Sequence, residues 1–170
     1  MYSLFLLQVY AVGLYVDSKA AKKVLGSLKG LDTAKYNPES YEILIKSDDL
    51  PKALRLVMLR SVSGAQMGEA IGEAVESRLK SMKLSGAEKA AVDVAFKEFR
   101  AQFNMPELAT GAELSFAIQL GGALGVSIAG KETKTITSKQ LCAAFLDVFL
   151  GSNAVLNRAL LVTRLPALLA

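Results

Sequence analysis

The chain opens on a dense apolar run, Met1 to Val16, broken only by Ser3, Gln8 and Gly13. Its Leu, Val, Tyr and Phe residues suit a long buried strand. Asp17 or Ser18 then caps a helix in which Ala20, Ala21, Val24, Leu25 and Leu28 recur at the helical period, and Gly30 stops it. Leu31 to Ser40 reads as loop, Tyr41 to Ile45 as a short strand, and Asp48 to Pro51 as a turn. Ala53 to Val62 is a second long strand, apolar enough for burial on both faces over much of its length, with Arg55 and Arg60 facing solvent.

Two helical stripes follow. Ser63-Gly64-Ala65-Gln66 has the spacing of a capping box, and behind it Met67, Ala70, Ile71, Ala74, Val75, Leu79 and Met82 step by three and four, predicting a helix from about residue 65 to residue 82. Ser85 and Glu88 repeat the start signal ahead of Ala91, Val92, Ala95, Phe96, Phe99 and Phe103, and Pro106 cannot continue that second helix. Leu114, Phe116 and Ile118, then Leu124, Val126 and Ile128, alternate about Gly121-Gly122 as a hairpin. Lys131 to Thr137 suits an edge strand, Ser138 opens a helix closed by Gly151, and a last helix spans Val155 to Leu169 with a break at Pro166. The order β-α-β-β-α-α-β-β-β-α-α segregates helices to one side of a mainly antiparallel sheet, so the fold class is α+β and residues 1–170 form a single domain.

Composition removes function classes more readily than it suggests them. The 170 residues include no histidine and one cysteine, which excludes an intrachain disulfide, Ser-His and Cys-His couples and the usual zinc ligand. No metal or cofactor is implied. The formal charge of +4 comes from basic residues dispersed among acids, which describes solvated helix faces and no nucleic-acid stripe. The apolar opening is too short for a transmembrane helix and lacks the basic start of a signal peptide. Glu69 and Glu73 fall on a polar helix face, Cys142 reads as a packed core thiol, and Gly121-Gly122 with Gly125 lacks the lysine of a phosphate loop.

Four short segments carry a resemblance: Val9-Tyr10-Ala11-Val12-Gly13-Leu14-Tyr15, Arg60-Ser61-Val62-Ser63-Gly64, Phe149-Leu150-Gly151 and Arg164-Leu165-Pro166-Ala167-Leu168-Leu169. In this order and at these separations they resemble the chalcone isomerase family over essentially the whole chain. The resemblance implies an open-faced β-sandwich, a large antiparallel sheet with helices on one face and an apolar cleft between the layers. That family holds enzymes that close a chalcone to a flavanone, plastid proteins that bind fatty acids in the equivalent cleft, and non-catalytic partners of flavonoid synthesis. Its enzymes carry a threonine at the position of Tyr10, a tyrosine and an asparagine at Met67 and Ala74, and a threonine or serine at Val148, so this chain departs from the isomerase pattern at all four.

Ring closure requires a held rotamer, a steadied phenolate and a hydrogen bond to the ketone as charge moves onto it. Met67, Ala74 and Val148 supply none of these. Tyr10 instead resembles the fatty-acid-binding branch, in which a tyrosine works with an arginine of the preceding strand on the ligand carboxylate. Only nine residues precede Tyr10 and none is arginine, so the expectation is a missing N-terminal strand together with any transit peptide, with Arg60 the nearest substitute charge. The resemblance therefore implies a non-catalytic protein that binds a fatty acid or similar apolar carboxylate beside Tyr10, Met67, Ile71, Ala74 and Val148, in the plastid stroma or else the cytoplasm. A weakly active chalcone-flavanone isomerase and a ligand-free regulatory partner are the alternatives.

Overall fold

The computed structural model describes residues 9–26, 38–104, 107–152 and 154. Strand β1 (Tyr10–Val16) leads through Asp17, whose carboxylate accepts from the Ala20 amide at 2.7 Å, into helix α1 (Ser18–Val24). That helix ends at Val24, earlier than its apolar period suggests. The expected continuation to Leu28, the first eight residues of the opening strand and the last helix at 155–169 lie outside the described residues.

The predicted strand at Tyr41 to Ile45 is instead part of helix α2 (Pro38–Lys46). A three-residue apolar run is compatible with either period, and the deciding signals flank it. Proline at the first helical position has its φ preset, and Glu42 and Lys46, four residues apart, form an ion pair of 2.9 Å along one helix face. Leu44 is buried on this helix, which packs against a helix from the far end of the chain.

Strand β2 (Lys52–Met58) pairs antiparallel with β1, placing Tyr10 opposite Met58 and Val16 opposite Lys52. It stops four residues short of the predicted end, because Val62–Ser63 (β3) leaves the sheet to pair with Glu107–Leu108 (β4). Burial also follows one face: Lys52, Leu54, Leu56 and Met58 are buried, whereas Ala53, Arg55 and Val57 are only part-covered. Among the described residues no helix covers the other face of β2, whose side chains are part-covered and not buried as expected.

Ser63 accepts from the Gln66 amide and starts helix α3 (Gly64–Ser81), while Ser85 and Glu88 complete a reciprocal capping box at helix α4 (Gly86–Ala101). Met67, Ile71, Val75 and Leu79 are buried as the stripe requires, each contributing on the order of 1.5–3 kcal/mol. Ala70 and Ala91, at the margins of their stripes, are exposed. Strands β5 (Glu113–Gln119) and β6 (Ala123–Ile128) form the hairpin, with Gly121 and Gly122 both at positive φ. The predicted edge strand resolves into two short bridges to β6, Lys131–Glu132 (β7) and Ile136–Thr137 (β8). Helix α5 (Lys139–Leu150) begins where Ser138 accepts from the Leu141 amide and ends at Gly151.

The main sheet runs β1-β2-β5-β6-β7, with β8 also on β6, and every pairing is antiparallel. Phe116 on its inner face meets Phe99 of α4 at 6.5 Å and Phe145 of α5 at 4.5 Å between ring centroids, which puts the helical layer on that face. The opposite face shows small residues, Ala11, Gly13, Ala53, Ser115, Ala117 and Gly125. Across it Arg55 makes a two-point ion pair with Glu113, which holds that carboxyl below its ordinary range. The architecture is an open-faced α+β sandwich.

Candidate ligand cleft between sheet and helices

Register fixes which way Tyr10 points. It shares a face with its partner Met58, a fully buried residue, so its ring projects toward the helices and lies half-buried against the core. Burial raises the phenol above its ordinary pKa, and no described residue hydrogen-bonds its hydroxyl. A neutral donor therefore stands at the edge of an apolar layer. Met67 and Ile71 on α3 and Val148 on α5 are buried in that layer, and Ala74 is part-buried beside them. Helices α3 and α5 pack directly on each other, so the five residues belong to one continuous apolar cluster.

Two cavities lined by described residues lie at opposite ends of α3, an 18-residue helix about 27 Å long. The first, about 420 Å³, is lined by Arg60, Ser61, Val62, Ser63, Gln66 and Glu107. It sits at the start of α3, at the end of the sheet where Tyr10 faces Met58 and where the Leu59 amide donates to the Val9 carbonyl at 3.0 Å. Arg60 is exposed and pairs with no carboxylate among the described residues, since Glu107 is engaged by the Ser61 hydroxyl. The uncapped amides of the first α3 turn add positive potential there.

The second cavity, about 220 Å³, lies beyond the end of α3 at Met82 and is also lined by Ile45, Asp48, Lys52, Ile118, Lys139, Cys142 and Leu146. Lys52 belongs to no sequence motif. The signal was one of parity: Lys52 has the same phase as the buried Leu54, Leu56 and Met58 and must point inward. Cys142 is the packed thiol the sequence predicts; its Sγ donates to the Gly122 carbonyl at 3.4 Å, and burial pushes its pKa up to about 11. No group of three metal-ligating side chains occurs among the described residues, and no described helix is long and apolar enough to cross a membrane.

An antiparallel sheet with helices packed on its inner face over an apolar cluster defines a small α+β open-faced sandwich; neither cavity is lined by Tyr10, Met67, Ile71, Ala74 or Val148, which pack in or against that cluster. The chain belongs to the chalcone isomerase-like family, whose profile, described as "Chalcone isomerase like", matches residues 1–160. It is 28% identical over 152 residues to chalcone isomerase-like protein 1 of Humulus lupulus, covering 85% of this chain and 66% of that protein. It is also 28% identical over 170 residues to chalcone–flavanone isomerase 1A of Glycine max, covering 94% of this chain and 76% of that enzyme. Among solved structures, the fold superimposes on a fatty-acid binding protein of Arabidopsis thaliana with a TM-score of 0.80 at 22% identity, over 99% of this chain and 85% of that one.

Proposed function

We propose that this chain is a non-catalytic member of its family that binds a long-chain carboxylic acid between sheet and helices. Its carboxylate takes the Arg60 cavity and the Tyr10 hydroxyl, and its tail follows Met67, Ile71, Ala74 and Val148. The observation that carries the reading is the placement of Arg60. It is a cation without a carboxylate partner among the described residues, and it lines a cavity at the end of the sheet where a half-buried tyrosine faces an apolar layer. A fatty acid has the same polarity, one charged end and a methylene chain that gains about 0.8 kcal/mol per buried CH₂. The fatty-acid binding protein of Arabidopsis thaliana, which shares this fold, supports the reading.

Calorimetric titration with laurate tests the reading. The wild-type chain is expected to bind saturably. Arg60→Ala should weaken binding by about 1.5–3 kcal/mol, the range for a hydrogen bond to a charged group, and Tyr10→Phe by about 0.5–1.5 kcal/mol. No binding by the wild-type chain, or binding indifferent to both substitutions, would overturn it.

A further inference from the structure

Lys52 is the buried charged residue among the described residues, 4% exposed, and the fatty-acid reading makes no use of it. Its Nζ donates to the carbonyls of Leu44 at 2.5 Å and Ser47 at 2.9 Å, at the end of α2. A neutral amine has two N–H groups, and these two carbonyls take both, which leaves the lone pair as the amine's remaining tetrahedral direction. The same side chain lines the 220 Å³ cavity, a volume of about seven water molecules at roughly 30 Å³ each. Ile45, Met82, Ile118, Ala143 and Leu146 give the cavity an apolar wall, and Lys46, Ser47 and Gln140 complete its polar side. The other two lysines of its lining are taken up by carboxylates, Lys139 by Asp48 and Lys46 by Glu42, whereas Lys52 makes no ion pair among the described residues.

We infer that Lys52 is a nucleophilic amine that condenses with short aliphatic aldehydes entering this cavity. The lone pair attacks the carbonyl carbon, forming the C–N bond while the π pair moves to oxygen. Nitrogen loses a proton and oxygen gains one. The resulting carbinolamine takes up a second proton, expels its oxygen as water and leaves an iminium, C=N⁺, which returns a proton to solvent. The net change is loss of one water molecule, with no oxidant or reductant consumed.

The electrostatics favour this nitrogen over its competitors. Desolvation is the larger influence and lowers Lys52 to about 8, against the weaker pull of Asp48 upward. About a tenth of it is neutral at pH 7, where a surface lysine is neutral in fewer than about one molecule in a thousand. Cys142, the other nucleophile of the cavity, is held as the thiol. Lys139 is raised by its bond to Asp48, and Lys46 is exposed and paired with Glu42.

The test treats the full chain with propanal and cyanoborohydride at about pH 7 and follows the propyl group on each lysine by peptide mass spectrometry. Lys52 is expected to label at least about tenfold faster than Lys46 and Lys139, in keeping with its larger neutral fraction. The fast phase should vanish in Lys52→Arg, which keeps donors for Leu44 and Ser47, and slow in Ala143→Leu, which adds bulk at a residue that lines the cavity. Circular dichroism checks both folds, and if Lys52→Arg does not fold, Ala143→Leu decides. Labelling of Lys52 no faster than its two neighbours, only after urea is added, or unchanged in a folded Ala143→Leu, overturns the inference. The cavity lies at the other end of α3 from Arg60, so this result and the laurate titration succeed or fail separately.

Discussion

Lys52 and Cys142 line one cavity and are shifted in opposite directions for the same reason. Burial disfavours charge, so the amine loses its proton more readily and the thiol holds its proton more tightly. The consequence for stability has a definite sign. Below about pH 8 both folded and unfolded chains carry the ammonium, and the folded state bears the full desolvation cost. Between about 8 and the ordinary 10.5 the unfolded chain binds a proton the folded chain has released, so stability rises with pH. Relative to Lys52→Met, the wild-type chain should gain at most about 3 kcal/mol between about pH 7 and pH 10.5. Urea denaturation of both proteins across that interval measures it, and a difference that stays flat with pH would show an amine that titrates normally in the fold.

At the level of elements, the decisive contact is between α3 and α4. A Cβ built on Gly68 would stand 2.4 Å from the Cβ of Phe103, and one on Gly72 3.1 Å from the Arg100 side chain. Glycine is used here for close approach, and the approach seats Phe103 edge-on against Phe99 at 5.2 Å. Gly68→Ala gains about 1 kcal/mol of helix propensity yet overpacks a site where the neighbouring atom is itself a Cβ, a cost of about 1–3 kcal/mol or more. Gly86→Ala, at a helical position with nothing within 4 Å, has the gain without the cost. The expected result is a lower urea midpoint for Gly68→Ala and an unchanged or higher one for Gly86→Ala. Equal midpoints would mean that α3 and α4 can part without loss.

For the molecule as a whole, two-sided asymmetry sets what the fold can do. One sheet face is covered by helices, with Phe116 of β5 packed against Phe99 of α4 and Phe145 of α5, while the other presents small side chains under the Arg55–Glu113 pair. On our reading the working surface is the covered side, and it is poor in polar groups. Met67 and Val148 are buried apolar residues, and Ala74 carries no donor. Losing one preorganised donor typically costs about 10²–10³ in rate, so the chain should leave chalcone cyclisation at its spontaneous rate. A spectrophotometric progress curve with and without purified protein checks this, and a saturable protein-dependent rate would restore the isomerase reading.

The sequence alone determined whatever depends on neighbours within a turn or two. The caps at Asp17, Ser63, Ser85 and Ser138, the stripe Met67 to Leu79 and the paired glycines of the hairpin were legible because short-range hydrogen bonds and fixed periods decide them. The motif segments likewise carried the family and its open-faced sandwich. Tertiary structure decided the rest. The apolar run at residues 43–45 became helix once Leu44 had a buried place beside α5, and β2 kept one face only part-covered because no helix among the described residues packs on it. Pairings such as Leu54 with Phe116 join residues far apart in the chain, and no local pattern encodes which strand will be the neighbour. The cavities at the two ends of α3 draw on several elements each, so Arg60 acquires Glu107 as a companion, and Lys52 acquires Cys142, only when the chain has closed on itself.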